Sequence, residues 1–213
     1  MSGSETQQST DRIIDAAMKA AESQGWTSLT LYDIADEAKM PLDAFYEAVG
    51  SKQAILTLFS RRVDKAVLGD FERDPADSVR DRLFELIFAR FDEMLPYRGG
   101  LKSIANASMT DGGAAICGYQ RLSRSMRWTL DAAGVNSSGI AGTLKVKFLV
   151  GVYLRALRVW LSDETEDFAK TMKVVDQSLA QAERWAGYLK ECKPGTRGKP
   201  KNDFNEDDII LET

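Results

Sequence analysis

The chain contains no histidine among its 213 residues. This absence excludes Ser-His-Asp and Cys-His nucleophile pairs, zinc sites built on histidine, and the side chain that most often moves protons near neutral pH. The acidic pairs Asp163-Glu164 and Asp207-Asp208 lie in turn-like or tail contexts, where a solvated surface is expected. No glycine motif has the spacing of a phosphate-binding loop. We therefore expect a protein that is not an enzyme and needs no cofactor or metal.

Cysteine and long apolar runs are also scarce. The two cysteines, Cys117 and Cys192, lie far apart and form no metal-type or redox-type pair, so we expect thiols in a reducing compartment. No apolar run approaches the ~20 residues that cross a bilayer. The polar start, Met1 to Thr10, lacks the basic-then-apolar layout of a secretory signal. These absences favour a globular cytoplasmic protein with no membrane span.

The sequence that remains reads as one helix after another, with few strand-like alternations. Three short segments with apolar residues at helical spacing come first, and a longer segment follows them. Such a series is typical of a small DNA-binding head joined to a connecting helix. The four predicted helices are Asp11–Ser23, Leu31–Ala38, Leu42–Val49 and Lys52 to about Leu68.

Residues that favour helix starts support these boundaries. Thr10 and Thr30 can cap the first two helices, because a hydroxyl accepts a hydrogen bond from an unpaired amide of the first turn. Asp33 would complete a shortened capping box with Thr30. Ser51 can cap the fourth helix, and the fixed φ of Pro41 suits the first position of the third.

A polar stretch, 69–78, separates this head from a larger helical body, and prolines and glycines divide the body into helices. The body helices are predicted at Ala76–Leu95, near Gly100–Ala107, and at Ala114–Ala133, Ala141–Leu161 and Glu166–Leu189. The end of the chain is rich in Pro, Gly and Lys and then becomes acidic, as disordered tails often are. The predicted organisation is a disordered start at 1–10, a helix-turn-helix domain at 11–56, a ligand-binding and dimerisation domain at 57–190 and a disordered tail at 191–213.

The head carries five short motifs: Arg12–Ala17, Gly25–Thr30, Asp33–Ala38, Ala44–Tyr46 and Val49–Leu56. Their combined spacing, over roughly residues 11–65, resembles the tetracycline-repressor (TetR/AcrR) family of transcriptional regulators. The resemblance implies an all-α, TetR-like fold with a three-helix head and a larger body. It also implies a homodimer that binds double-stranded operator DNA through its third helix, most often as a repressor.

The same resemblance implies which residues would contact DNA. Thr30, Tyr46 and Lys52 match positions that contact phosphates in the family, and these contacts fix the protein on the duplex. Leu42 and Asp43 match positions that face the bases, with Glu47 as a further candidate. The DNA-binding residues expected on this basis are Thr30, Lys39, Leu42, Asp43, Tyr46 and Lys52.

The head departs from the family pattern in its turn and in its charge. Lys39 stands where the family turn usually has glycine, and Pro41 where a capping serine or threonine is common. The third helix has no Lys or Arg, and residues 10–56 carry four basic against eight acidic residues. Because affinity for DNA rests largely on cations that displace counterions, such a head must gather its cations on one face. The candidates for that rim are Arg12, Lys39 and Lys52.

The body carries four further short motifs. Val79–Leu83, Leu95–Tyr97, Met126–Trp128 and Leu157–Glu164 resemble the ubiquinone-biosynthesis lipid-binding proteins, over residues 79–187. That resemblance implies the same fold used to bind lipid and a partner enzyme, so a lipid- or prenyl-binding accessory protein is the alternative function. Either function suggests an interior that holds a small apolar ligand, although a packed core would have the same pattern. The candidate lining residues are Phe84, Phe88, Phe91, Trp128 and Phe148.

The last two long helices carry apolar stripes of their own. In family dimers, two such helices from each subunit form a four-helix bundle that buries a seam one subunit cannot cover. The expected contacts are Val152, Tyr153, Ala156, Val175, Leu179 and Trp185, unless the stripes face only their own core. The first of these helices also carries four cations and no acid between Thr143 and Trp160. Such cations can lie over apolar surface, face the acidic tail, contact anionic lipid or be solvated.

Overall fold

The computed structural model describes the backbone of residues 3–191 and the side chains of residues 5–184. Every regular element in this part of the chain is helical, which confirms the all-α fold class. A 3-10 turn, Leu95–Tyr97, joins the fifth and sixth helices. The α-helices are α1 (Gly3–Gln24), α2 (Leu31–Glu37), α3 (Leu42–Ala48), α4 (Lys52–Asp70), α5 (Val79–Met94), α6 (Arg98–Thr110), α7 (Gly112–Ala132), α8 (Gly139–Trp160) and α9 (Ala169–Glu191).

The first helix begins well before its predicted start at Asp11. Residues 3–10 are helical, so the prediction of a disordered start at 1–10 is wrong for them. Thr10 is therefore not a cap, and its hydroxyl donates to the carbonyl of Thr6 at 2.9 Å inside the helix. No proline or glycine interrupts residues 4–24, so an established helix can propagate backward at little cost. The predicted tail lies outside the described residues from residue 192 onward.

The caps of the next helices agree with prediction in two cases of three. The Thr30 hydroxyl accepts from the Asp33 amide at 3.2 Å, and the Asp33 carboxylate accepts from the Thr30 amide at 2.8 Å, which confirms the capping box. Ser51 accepts from the amide of Ala54 at 3.1 Å. Pro41 occupies the N-cap of α3, not its first helical position, and contributes no side-chain bond there.

The head is held together by small and branched side chains. Ile34 and Ala35 of α2 are buried, and their size lets α2 approach its neighbours closely. Phe45 and Val49 are also buried, so α3 is fixed by one face and leaves its other face outward. A helix anchored in this way has a defined orientation, which a recognition element requires.

The head and the body pack against each other through α1 and α6. A Cβ atom at Gly100 would collide with the backbone carbonyl of Met18, so the two helices touch with no side chain between them. The Trp26 amide, just after α1, donates to the Ser103 hydroxyl of α6 at 2.8 Å. The small residue at this crossing therefore sets how close the head lies to the body.

The core of the body is built around aromatic stacking. The ring of Phe91 lies between those of Tyr153 and Trp160, with centroids 5.4 and 5.3 Å away. All three side chains are buried, and such stacking adds to the stabilisation that burial gives. None of the helices described here is long and apolar enough to cross a lipid bilayer.

The prediction that Asp163 is a solvated surface residue is wrong. It lies in the turn after α8 and is only 1 % exposed. Its carboxylate accepts bonds from the amide and hydroxyl of Thr165 and from those of Thr171, at 2.7–3.2 Å. Four donors replace the lost water, so a buried carboxylate can order the turn into α9. The position of Asp163 in a turn does not indicate this role, because the donors, Thr165 and Thr171, come later in the chain.

Candidate nucleic-acid interface

The α2–α3 unit presents a compact outward surface. Tyr46 and Leu42 of α3 are 74 % and 52 % exposed, and Tyr32 of α2 is exposed as well. Asp43 and Glu47 lie on the same exposed side of α3. The structure thus brings together the candidate base-facing residues, and it gives α3 two acids and no cation.

The turn between α2 and α3 is formed by Lys39 in a left-handed conformation, with φ of 50°. Glycine adopts this conformation without cost, whereas a side chain makes it unfavourable by roughly 1 kcal/mol. A glycine would therefore suit this turn better than Lys39 does. Lys39 has no ion-pair or hydrogen-bond partner among the described residues, so its ammonium group is available to a ligand.

The other cations of the head are engaged inside it. Arg12 donates to the carbonyls of Ala38 and Lys39 at 2.7 and 3.1 Å, which fastens α1 to the turn. Lys19 forms an ion pair with Glu37 of α2 at 2.6 Å. Of the three candidate rim residues, Arg12 is therefore partly committed to holding the helix-turn-helix unit.

Lys52, at the start of α4, is committed in a similar way. Its ammonium group donates to the carbonyls of Trp26 and Leu29 at 2.5 and 2.8 Å and lies 4.7 Å from the centroid of the Trp26 ring. Burial lowers the pKa of this amine. Lys52 closes the turn between α1 and α2, a structural role that the sequence did not indicate. An ammonium group has three donors, so one is left for a phosphate.

Thr30 is the remaining candidate for phosphate contact. Its hydroxyl donates to the carboxylate of Asp33 at 2.7 Å while it accepts from the Asp33 amide. These hydrogen bonds to Thr30 lower the pKa of Asp33. The start of α2 therefore carries an ionised carboxylate beside the threonine.

The aromatic residues predicted to line a ligand-binding interior are not all buried in the core. Phe91 is buried, and the half-buried pair Phe84 and Phe88 stacks with centroids 4.7 Å apart. Trp128 and Phe148 are 56 % and 42 % exposed, so the prediction is wrong for them. Both lie on helix faces that turn away from the core, which a list of aromatic residues does not distinguish from inward faces.

The residues predicted as a dimer seam lie in the core of their own chain. Their burial contradicts the predicted seam and agrees with the alternative that these stripes face inward. The side chain of Trp185 lies outside the described residues. The buried residues are Val152, Tyr153, Ala156, Val175 and Leu179.

A buried polar network in the body was not predicted. Arg90 of α5 contacts the carboxylate of Asp64 of α4, and its Nε donates to the Tyr153 hydroxyl at 3.2 Å. Ser125 of α7 donates to Asp64 at 2.8 Å. One signal was available: Arg90 follows Leu86 by four residues, on the apolar stripe of α5. The network joins the helix from the head to three body helices.

Comparison with solved structures gives similar folds at low sequence identity. A TetR transcriptional regulator from Nitrosomonas europaea ATCC 19718 superposes with a TM-score of 0.68 at 23% identity, over 82% of this chain and 98% of that one. A TetR transcriptional regulator from Rhodococcus sp. RHA1 gives a TM-score of 0.60 at 16% identity, over 82% and 96%. No protein-family model and no curated protein matches the sequence. The chain therefore has the fold of TetR transcriptional regulators over most of its length, as the head motifs predicted.

Proposed function

We propose that this protein is a homodimeric, DNA-binding transcriptional regulator, most simply a repressor, whose α3 enters the major groove. The observation that carries the proposal is the outward face of α3. Tyr46 and Leu42 are exposed, while Phe45 behind them is buried and holds the helix in place. A rigid helix with one free face is what readout of base edges requires.

Individual residues then take distinct roles. The hydroxyl of Tyr46 and the free ammonium group of Lys39 hold phosphates, with Lys52 at the flank. Thr30 takes no phosphate, because its hydroxyl donates to Asp33. Asp43 and Glu47 accept from the exocyclic amine of cytosine, a contact open to carboxylates in the major groove. Leu42 packs on a thymine methyl group. With so few cations free, we expect moderate affinity with a shallow dependence on salt.

Modulation by a small apolar ligand forms the second part of the proposal. Phe84 and Phe88 are half-buried on α5, the helix that also carries Arg90. A ligand inserted at this pair would shift α5 and, through Arg90, the Asp64 side chain of α4. Because α4 follows the head directly, its displacement would favour arrangements of α3 that bind DNA less well.

Selection of bound sequences from a random DNA pool tests the proposal. We expect enrichment of a palindromic site, and weaker binding to it by Tyr46→Phe and Lys39→Ala. Lys39→Ala should also reduce the slope of log affinity against log salt by about 1. Tyr119→Phe and Lys102→Ala, on exposed parts of α7 and α6, are the matched controls. A pool with no enriched sequence at low salt would refute the proposal.

A lipid- or prenyl-binding accessory protein is the second candidate function. It is favoured by the charges of the head, since Arg12, Lys19 and Lys52 are bonded internally and α3 is acidic. Native mass spectrometry of the purified protein distinguishes the two candidates. A co-purifying isoprenoid or acyl lipid, together with no enriched DNA sequence, would assign this function.

A further inference from the structure

A shallow groove of about 410 Å³ lies between α8 and α9. Arg155 of α8 and Arg184 of α9 line it, and neither has an ion-pair or hydrogen-bond partner among the described residues. Asp176 is the only acid among the described residues that line the groove, and its carboxylate is bonded to Arg80 at 2.5 Å. The groove therefore presents two unpaired guanidinium groups beside a carboxylate that is already neutralised.

A buried hydroxyl in the same groove also lacks a partner. Ser178 is 6 % exposed and lines the groove, and its Oγ atom has no hydrogen-bond partner in the part of the chain that the structure describes. A serine inside a helix usually bonds to a carbonyl of the preceding turn, and leaving a buried hydroxyl without a partner is unfavourable. The amides of Gln177 and Gln181 add further donors. This combination of donors suits a carboxylate ligand.

We propose that the groove binds carboxylates of the chain's own C-terminal acidic segment, residues 203–212. The guanidinium of arginine matches a carboxylate in a two-pronged geometry, which makes it the residue of choice for such pairs. The segment has no Lys or Arg after Lys201, so its charge is uniformly negative. Its acids are Asp203, Glu206, Asp207, Asp208 and Glu212.

The chain is long enough to bring this segment back to the groove. From Arg184 to Glu191, the last described residue, α9 rises only ~10 Å at 1.5 Å per residue. The residues from 192 to 203 can span up to ~40 Å when extended. Single exposed ion pairs are weak, because water and salt screen them. A tethered segment with several acids gains from its high effective concentration at the groove.

Zero-length carbodiimide cross-linking of the full-length protein tests the proposal. The Arg155→Lys variant places an amine in the groove, and Arg124→Lys on the exposed face of α7 is the matched control. We expect mass spectrometry to find a cross-link from position 155, and not from position 124, to an acid of residues 203–212. In a mixture of isotope-labelled and unlabelled protein the cross-link should join residues of one chain. Its absence, or cross-links only between chains, would overturn the proposal.

A binding measurement gives an independent readout. In full-length protein with the five acids replaced by Asn or Gln, we expect a synthetic peptide of residues 202–213 to bind. Its affinity should fall at least fivefold in the added Arg184→Gln or Ser178→Ala background, and with rising salt. Circular dichroism of each variant checks that the fold is kept. Binding of inorganic phosphate with no binding of the peptide would assign the groove to a free anion and overturn the proposed occupant.

Discussion

Asp64 of α4 and Arg90 of α5 form an ion pair inside the body, with 17% and 8% of their side-chain surfaces exposed. Ser125 donates a hydrogen bond to Asp64, and the Tyr153 hydroxyl accepts one from Arg90. Both charged groups therefore also have hydrogen-bond partners in the interior. A buried pair of this kind contributes little net stability but is costly to break from one side. It therefore joins α4, the helix that follows the head, to α5.

We expect Asp64→Asn to lower the free energy of unfolding by about 3 kcal/mol, because it leaves the Arg90 charge buried without a counter-ion. Urea unfolding followed by circular dichroism measures the change. Asp92→Asn, at an exposed position of α5, is the control and should change stability by less than ~0.5 kcal/mol. The double variant Asp64→Leu/Arg90→Met should recover most of the loss. Equal stability of Asp64→Asn and the control would contradict the role given to the pair.

Lys39 affects both the free energy of unfolding and the proposed contact with DNA. Lys39→Gly should raise the free energy of unfolding by about 1 kcal/mol, because glycine accepts the positive φ of 50° without a clash. Lys39→Ala should bring no such gain, since alanine keeps the clash. Both variants lose the cation and should lose DNA affinity to a similar extent. If the glycine variant bound DNA as tightly as the parent protein, the proposed phosphate contact at Lys39 would be excluded.

Most of the fold could be predicted from the sequence because helix boundaries depend on local chemistry. The capping box of Thr30 and Asp33, and the cap at Ser51, follow from residues within three positions of each other. The spacing of apolar residues located every later helix to within a few residues. The start of α1 was missed because residues 3–10 carry no apolar stripe, and helix propagation needs none.

The site was harder to predict, because its properties depend on contacts between distant parts of the chain. Lys52 bonds to carbonyls more than twenty residues earlier, and no local pattern gives that contact. Phe148 and Val152 share an apolar helix but differ in burial, since only tertiary packing decides which face is covered. The position of Arg90 on the apolar stripe of α5 indicates burial, but the sequence does not show that Asp64 is its partner. The periodicity of apolar residues shows which residues share one face of a helix, but only the tertiary fold decides what that face contacts.

Gly100 offers a test of the contact between head and body. We expect Gly100→Ala to lower the free energy of unfolding by about 1–3 kcal/mol, because a methyl group there collides with the Met18 carbonyl. Gly118→Ala, in α7, has only the end of the Arg121 side chain nearby and should be neutral or stabilising. Chemical denaturation of both variants gives the comparison. A stabilising effect at both positions would show that α1 and α6 are not in direct backbone contact.

The buried carboxyl group of Asp163 should make the stability of the protein depend on pH. Burial alone would raise the pKa of its carboxyl, but hydrogen bonds from Thr165 and Thr171 outweigh it and hold the pKa well below the usual range. A carboxyl with a lowered folded-state pKa stabilises the protein above its unfolded pKa of about 4, and this contribution is lost as the pH falls further. Thr171→Val should therefore cost ~2 kcal/mol at pH 7, and this cost should shrink only when the pH falls through the lowered folded-state pKa. The measurement is urea unfolding from pH 8 down to the lowest pH at which the protein remains folded.

Thr143→Val is the control for that series, since the Thr143 hydroxyl bonds only within its own helix, to the Gly139 carbonyl at 2.9 Å. Its stability difference from the parent protein should be small and independent of pH. If Thr171→Val behaved in the same way, the ionised carboxylate of Asp163 would not be what orders the turn before α9.

The proposed dimer requires a surface other than the buried seam, and α8 supplies one. Ile140, Leu144 and Phe148 are exposed on this helix at intervals of four residues, which place them along one side. An apolar stripe of this kind is typical of a face covered by a second subunit. In a two-fold arrangement each residue meets the same stripe of the partner, so one substitution acts twice.

We expect Leu144→Glu to weaken dimerisation at least a hundredfold, because it would bury two unpaired carboxylates in one interface, and each 1.4 kcal/mol is a factor of ten. Sedimentation velocity across a range of protein concentrations measures the shift from dimer to monomer. Ile116→Glu, at a similarly exposed position of α7, should leave the profile unchanged and controls for surface charge. If both variants sedimented like the parent protein, the stripe on α8 would not be the interface. Because the two α3 helices can reach successive major grooves only when held together, a monomeric Leu144→Glu protein should also lose its affinity for a palindromic site.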